Sequence, residues 1–258
     1  MAKIDHLSPS QIDLFEMCGL AYKYLYIDKL PKPPPSTPVV KGSLIHYLIE
    51  KKIIDRNSDS RENIKRFTET PGSVFLTLSK DDQESVIKSA NNAIEVIDSL
   101  TWYPEEPIEL YEQLITYRIG DIKIEVKPDL ITESSVYDHK VIGASSLFKY
   151  EKITYPAQLV IGAMAVGKPK AAYNLFIEDN KGNFIFKRIK FDFITLRFKR
   201  IENKIRRVWA MIENDMFYPV DKDGSNKWKC TRKFCDFFDM CEFGVHDQLP
   251  SEENIALF

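Results

Sequence analysis

The sequence predicts an α/β sandwich built around a mixed central sheet flanked by helices, and three observations carry that expectation. Apolar residues recur at helical spacing over most of the first hundred positions. They alternate at strand spacing over 108–142, and then switch between the two periods up to Met216. The resulting order is helices, antiparallel strands, one helix, a hairpin and one helix, which a layered α/β architecture accommodates. At 258 residues with 44% hydrophobic content, the chain can bury one sizeable core, so a single domain over 1–258 is expected.

The elements follow in order. Ser8-Pro9-Ser10-Gln11 supplies an N-cap, a proline at the first helical position and the glutamine of a capping box. Ile12, Phe15, Met17, Leu20 and Leu25 continue one helix towards the stiff link Pro31-Lys32-Pro33-Pro34-Pro35, which cannot be helical. A second helix is expected from near Val40 to Gly42 past Lys51, carrying His46. A loop with a surface helix follows over 56–70, and a further helix over 80–100. Ile122, Ile124 and Val126 alternate with charged residues, and Glu133-Ser134-Ser135 is the turn between two extended runs. Residues 155–166 read as a helix with Pro156 near its start. Strands over 171–177 and 184–193 are joined by the turn Asp179-Asn180-Lys181-Gly182-Asn183, and 195–216 is the last long helix. The tail after Tyr218 is rich in cysteine and aromatic residues without a clear period, and no internal repeat is present.

Net charge is −2, from 36 basic and 38 acidic residues, which gives no global reason to expect nucleic-acid binding. Any DNA contact must use local basic runs. Arg197-Phe198-Lys199-Arg200 and Lys204-Ile205-Arg206-Arg207 are the candidates, although the solvated face of an ordinary helix is the better account of them. No apolar run is long enough to span a bilayer, so no membrane association is expected. The opening MAKIDHLSPS lacks the basic-then-apolar pattern of an export signal, and the expected location is cytoplasmic.

The most informative stretch is Lys127-Pro128-Asp129-Leu130-Ile131 followed by Val136-Tyr137-Asp138-His139-Lys140. Asp129 is expected at the end of one strand, with Asp138 and Lys140 on the next. Residues two apart on a strand share a face, so Asp138 and Lys140 point together while His139 points away. Two carboxylates and an ammonium would then converge near a sheet edge. Carboxylates and waters suit Mg²⁺ or Mn²⁺ in octahedral geometry. Such an ion activates water and offsets charge developing on a phosphate. Lys140 would orient or help deprotonate the attacking water, or stabilise the pentacovalent state. A bare Asp-x-Lys is also a common surface salt bridge on a hairpin, so its meaning depends on its company.

In that company the stretch resembles the PD-(D/E)xK nuclease superfamily, whose restriction-endonuclease-like core is a mixed sheet flanked by helices. Gly42-Ser43-Leu44-Ile45-His46 is similar to the G-x-x-x-H helix of its RecB-like exonuclease branch, and Gln158 to the start of that branch's Q-x-x-x-Y motif. The resemblance implies a metal-dependent DNA exonuclease. Its Mg²⁺ or Mn²⁺ would be held by His46, Asp129, Asp138 and the backbone carbonyl of His139. Lys140 would serve the water, and Gln158 would position the catalytic residues and the DNA. Two positions depart from the pattern. Gly162 stands where the family has its tyrosine, so that contact is missing or comes from elsewhere, Tyr155 being a candidate. Val126 stands at the family's glycine three residues before the first aspartate.

The cysteines form a second constellation. Cys230, Cys235 and Cys241 lie close together in the tail, flanked by Trp228, Phe234, Phe237 and Phe238, while Cys18 sits alone on the first helix. In a reducing compartment such a group is a metal site sooner than a disulfide set. Four thiolates suffice for a cubane cluster. They also bind zinc tetrahedrally, although zinc ribbons use close C-x(2–4)-C pairs and a lone cysteine over two hundred residues away does not fit that habit. One cysteine before the core and three after it resembles the iron–sulfur RecB-like nucleases: the AddB subunit, CRISPR-associated adaptation nucleases and phage exonucleases.

That resemblance implies a [4Fe-4S] cluster on Cys18, Cys230, Cys235 and Cys241, clasping residues 8–30 to 218–245. It implies single- or double-stranded DNA ends as substrate, in recombination, repair or replication. A recombinase or single-strand-binding protein is the kind of partner it suggests, and the host cytoplasm the location if the chain is phage-encoded. A CRISPR adaptation nuclease, or a DNA-binding or assembly module with an impaired core, are the alternatives; Gly162 favours the last. The sequence carries no signal for oligomeric state.

Overall fold

Capping chemistry starts the first helix where the sequence puts it: Ser8 Oγ accepts the Gln11 N–H at 3.2 Å, with Pro9 in the first turn. The computed structural model describes residues 4–154, 156–193, 195–220 and 227–245. Its elements in chain order are α1 (Pro9–Met17), α2 (Gly19–Tyr22), α3 (Thr37–Ile54), α4 (Ser60–Glu69) and α5 (Lys80–Asp98). Then come β1 (Ile108–Tyr111), β2 (Ile115–Ile119), β3 (Ile122–Val126), β4 (Leu130–Thr132) and β5 (Ser135–Gly143). The chain continues with α6 (Leu147–Glu151), α7 (Ala157–Val166), β6 (Lys170–Glu178), β7 (Phe184–Asp192), α8 (Thr195–Glu213) and α9 (Glu242–Val245). The short α6 has no sequence period and was not expected.

Two compact units share these elements. Met1–Pro33, Arg118–Ile124 and Glu202–Phe258 make one; Pro34–Tyr117 and Glu125–Ile201 make the other. In the first, the helix expected to run on to Leu25 is broken. Cys18 takes an extended conformation, φ −160 and ψ 106, and its Sγ accepts the Ala21 N–H at 3.5 Å to begin α2. The next turn, Lys23–Ile27, widens to a π-helix. Backbone contact with the C-terminal tail accompanies the break: Leu20 N donates to the Tyr218 carbonyl at 3.2 Å. A Cβ on Gly19 would stand 2.8 Å from Tyr218 N, so only glycine fits there. The capping box is half-formed, because Gln11 Oε1 is buried without a hydrogen-bond partner instead of reaching back to Ser8.

The second unit holds the five-stranded sheet, in the order β1-β4-β5-β6-β7. β5 and β6 run parallel and the other pairs antiparallel, giving the expected mixed sheet. β5 is therefore central. The expected edge position for Asp138 and Lys140 is corrected: β1 and β4 extend the sheet on one side, and the crossover through α7 adds β6 on the other. Alternation along β5 then assigns its faces. Val136 lies beneath Gly162 of α7, while Tyr137 and Val141 join hydrophobic clusters with residues of α3. Val40, Leu44, Ile45, Leu48 and Ile49 of α3 pack with Val86, Ala90, Ala93 and Ile97 of α5 around Trp102 and Phe176. Each large side chain buried there contributes about 1.5–3 kcal/mol. α7 is apolar on almost every side and buried from Leu159 to Met164, as a helix packed on a sheet should be. Among the described residues no helix is long and apolar enough to cross a membrane.

Candidate active site

Strand register assembles the site. Leu130 pairs with Tyr137, so Asp129, one residue earlier, falls beside Asp138, one residue later. Tyr111 pairs with Leu130, so Glu112 falls beside Asp129, and Glu112 N donates to the Asp129 carbonyl at 3.3 Å. Three acids thus stand in a row across β1, β4 and β5. Asp129 occupies the segment entering β4 rather than a strand end, since β3 stops at Val126 and Pro128 has no N–H for a ladder. Asp129 Oδ2 accepts the His139 N–H at 2.5 Å. Burial of Leu44, Ile45, Leu48 and Ile49 sets the rotation of α3, and His46 Nδ1 reaches 3.9 Å from Asp129 Oδ2.

Asp138 and Lys140 face α7. Lys140 Nζ donates to Asp138 Oδ1 at 3.1 Å and lies 2.9 Å from Oδ2 as an ion pair without hydrogen-bond alignment. It also donates to Gln158 Oε1 at 3.2 Å, and Gln158 Nε2 donates to Asp138 Oδ1 at 2.7 Å. Carboxylate, ammonium and amide therefore close a triangle. One helical turn on, a Cβ at Gly162 would meet Val136 Cγ1 at 3.4 Å and Pro128 Cγ at 4.0 Å. That position is a packing contact between α7 and β5. Tyr155, the other candidate for the missing tyrosine contact, lies outside the described residues.

Burial, more than any other cause, pushes the carboxyls of both Asp129 and Asp138 up to about 6. For Asp129 the His139 N–H opposes that rise and Glu112 adds to it. For Asp138 Lys140 opposes it and Asp129 adds to it. Burial alone would lower the Lys140 ammonium, but Asp138 and Asp129 outweigh it and the net shift is upward. Lys140 therefore holds its proton. His46 is shifted down by burial, which favours the neutral ring that a metal needs.

The opposite face of β5 is locked from behind. His139 is buried against Trp102 and Phe176, and burial holds its pKa well below the usual range. Arg188 Nε donates to Asn174 Oδ1 at 2.8 Å, and Nη2 donates to the Trp102 carbonyl. Because a guanidinium only donates, Asn174 must turn its amide nitrogen to His139 Nδ1, 3.2 Å away, and that nitrogen accepts. The side chain expected to point elsewhere thus fixes the strand that carries Asp138 and Lys140.

In the first unit all four cysteines are unbridged and line one cavity of about 140 Å³ together with Tyr24, Phe234 and Phe237. No three of their sulfurs lie within 4.8 Å of one another. Burial, and then the neighbouring Cys18, Cys230 and Cys241, hold the Cys235 thiol above its ordinary pKa; an N–H from Phe237 opposes them. Of the basic runs on α8, Lys204 and Arg207 are engaged by Glu16, at 2.5 and 2.6 Å. The second run is therefore partly consumed inside the protein.

His46, Asp129, Asp138, His139, Lys140 and Gln158 are neighbours in the structure, and Glu112, which sequence reasoning missed, joins them. Donor atoms of His46, Glu112 and Asp129 all lie within 4.8 Å of one another. Only the pairing of β1 with β4, which are not sequential strands, puts Glu112 there; its signal was an acid directly after a strand. A neutral imidazole nitrogen with hard carboxylate oxygens is a donor set that fits Mg²⁺ or Mn²⁺. Asp138 Oδ2, buried and without an aligned donor, faces the Lys140 ammonium at 2.9 Å.

Comparisons with known proteins bear on the fold and the family. No curated protein sequence matches the chain. Among solved structures, a Eubacterium rectale protein provisionally assigned as an exonuclease superposes with a TM-score of 0.58 at 12% identity, over 96% of this chain and 90% of its own. An alkaline exonuclease from Laribacter hongkongensis aligns at 13% identity over 64% of this chain and 87% of its own, with a TM-score of 0.33. Of these two, the first is close enough to bear on the fold. A family model of the PD-(D/E)XK nuclease superfamily matches residues 6–242. With the mixed sheet, its flanking helices and a match over nearly the whole length, the chain belongs to the PD-(D/E)XK nuclease superfamily.

Proposed function

We propose that the protein is a DNA exonuclease dependent on Mg²⁺ or Mn²⁺, held by His46, Asp129, Asp138 and the His139 carbonyl. The observation that carries this reading is the convergence of His46, Asp129, Asp138, Lys140 and Gln158, delivered by α3, the segment entering β4, β5 and α7. The ion would supply Lewis acidity at the phosphate and activate water. The chain's own residues do the rest. Lys140, whose proton is favoured in the ion-free protein, orients the attacking water and offsets charge on the phosphate. Gln158 holds both Asp138 and Lys140, so neither can swing away. Asp129, tied to His139 N, links the hairpin's two strands at the reacting position. The burial of Gly162 favours the impaired-module alternative only for substrate handling, since the side chains of the acid–lysine triangle are intact.

End-labelled linear single- and double-stranded DNA, incubated with Mn²⁺, tests the reading against closed circular DNA. Linear molecules should be degraded and circles spared. Lys140→Ala should lower cleavage about a thousandfold while DNA binding persists. Full activity in that variant would remove the assignment.

The same reading includes a single nuclease domain over 1–258 whose residues 8–30 and 218–245 are clasped by a [4Fe-4S] cluster on Cys18, Cys230, Cys235 and Cys241. Support comes from the shared cavity and from the backbone contact of Leu20 with Tyr218. Protein purified without oxygen should be brown, and a colourless protein holding stoichiometric zinc would overturn the cluster. Recombination, repair or replication at DNA ends, in the cytoplasm, is the setting that goes with this activity.

A further inference from the structure

Like charges directly opposite on neighbouring strands destabilise a sheet, yet Glu112, Asp129 and Asp138 stand side by side across three of them. Lys140 answers the charge at one end of the row. At the other end Lys127 Nζ lies 2.5 Å from Glu112 Oε2, and this lysine is half-exposed at the rim. Glu112 is held in place: its backbone is left-handed, φ +49, and its N–H is bonded to Asp129. Its carboxylate, the His46 ring nitrogen and the Asp129 carboxylate span no more than 4.8 Å. Opposite donors in an octahedral shell of this kind of ion are about 4.2 Å apart, so little movement is needed to close on one.

We propose that Glu112 is a further side-chain ligand of the divalent ion, and that Lys127 is its exchangeable counter-ion, released to a DNA phosphate when the ion binds. The proposal rests on the reading of the site as a metal-dependent nuclease centre. Loading of the ion and presentation of a backbone-binding cation become one event: the ion takes over Glu112, and the freed ammonium stays at the rim of the site. Without the ion, Lys127 and Glu112 neutralise each other and the rim offers the phosphate less positive charge.

Mn²⁺ binding, followed by the electron paramagnetic resonance of free ion, separates the possibilities without any cleavage assay. Glu112→Gln should weaken Mn²⁺ binding at least about tenfold, the lower bound typical even for groups that only touch a ligand. Lys127→Met should tighten it several-fold. In a Lys140→Ala background with Mn²⁺, Lys127→Met should also reduce the salt slope of DNA binding by about one. Glu112→Asn, which tolerates a left-handed backbone, gives a second variant should Gln disturb the fold. Asp138→Asn is the control. If it loses Mn²⁺ while both Glu112 variants bind normally, Glu112 is no ligand and only this inference falls. If Asp138→Asn also binds normally, the nuclease-centre reading falls with it. An unchanged salt slope in Lys127→Met removes the phosphate contact.

Discussion

The residues of the acid–lysine triangle, Asp138, Lys140 and Gln158, already bond to one another, and Asp129 is tied to the same strand through His139 N. The four cysteines lie around a cavity, come from chain segments over two hundred residues apart, and form no bridges. One region is organised by short-range strand pairing, and its charges are balanced by protein groups. The other gathers four thiols that form no bridge with one another. The difference teaches what each group is for. A site whose geometry the protein sets by itself is suited to chemistry, because it needs no reorganisation when substrate arrives. On the proposed reading, thiols that take up a cluster hold the chain together, because the cluster's binding energy becomes folding energy.

The largest contrast is between Cys18→Ser and Lys140→Ala. Closing a loop of this length stabilises by about 5 kcal/mol. The cysteine variant should therefore lose its visible absorption and melt about 10 °C lower. The lysine variant should keep its Tm within a few degrees and lose catalysis. Equal Tm for wild type and Cys18→Ser, measured by calorimetry without oxygen, would break the comparison.

Next in size is the lock behind β5. Asn174→Leu removes the acceptor of Arg188 and the donor to His139, leaving buried polar groups unmatched. We expect a loss of about 2 kcal/mol, seen in urea unfolding, and a fall in kcat larger than the rise in KM. A variant as stable as wild type would show that Arg188 and His139 find other partners.

The smallest effect sharpens the electrostatics. Burial raises the Asp129 carboxyl from its ordinary 3.8 to about 6 in the ion-free protein. Its ionisation therefore opposes folding: the stability present below about pH 4 is lost as pH rises through 6. Asp129→Asn should raise the Tm of ion-free protein at pH 8 by a few degrees, with the gain fading towards pH 4. With saturating Mn²⁺ the sign should reverse, because the wild type gains ion-binding energy that the variant lacks. A Tm gain independent of pH would point to packing instead of charge.

Much was legible without coordinates because it depends on neighbours along the chain. Alternation in β5 puts Asp138 and Lys140 on one face and His139 on the other, Ser8 and Pro9 start α1, and the turn at 179–183 joins β6 to β7. The second helix was expected to carry His46, and the motif order from His46 to Gln158 carried the family. These are short-range rules of sterics and hydrogen bonding, and each holds within a few residues.

Tertiary structure alone decided the rest. β5 is central, not an edge, because β1 and β6 join from distant parts of the chain. Glu112 belongs to the acid row only through the β1–β4 register. The break at Cys18 coincides with a backbone approach from Tyr218, and no local propensity records that contact. Arg188 orients Asn174, and Asn174 orients His139, through pairings between strands. Periodicity says which way a side chain points from its own backbone. Which charges then meet depends on how segments far apart in sequence come into register, and that is settled only when the whole core packs.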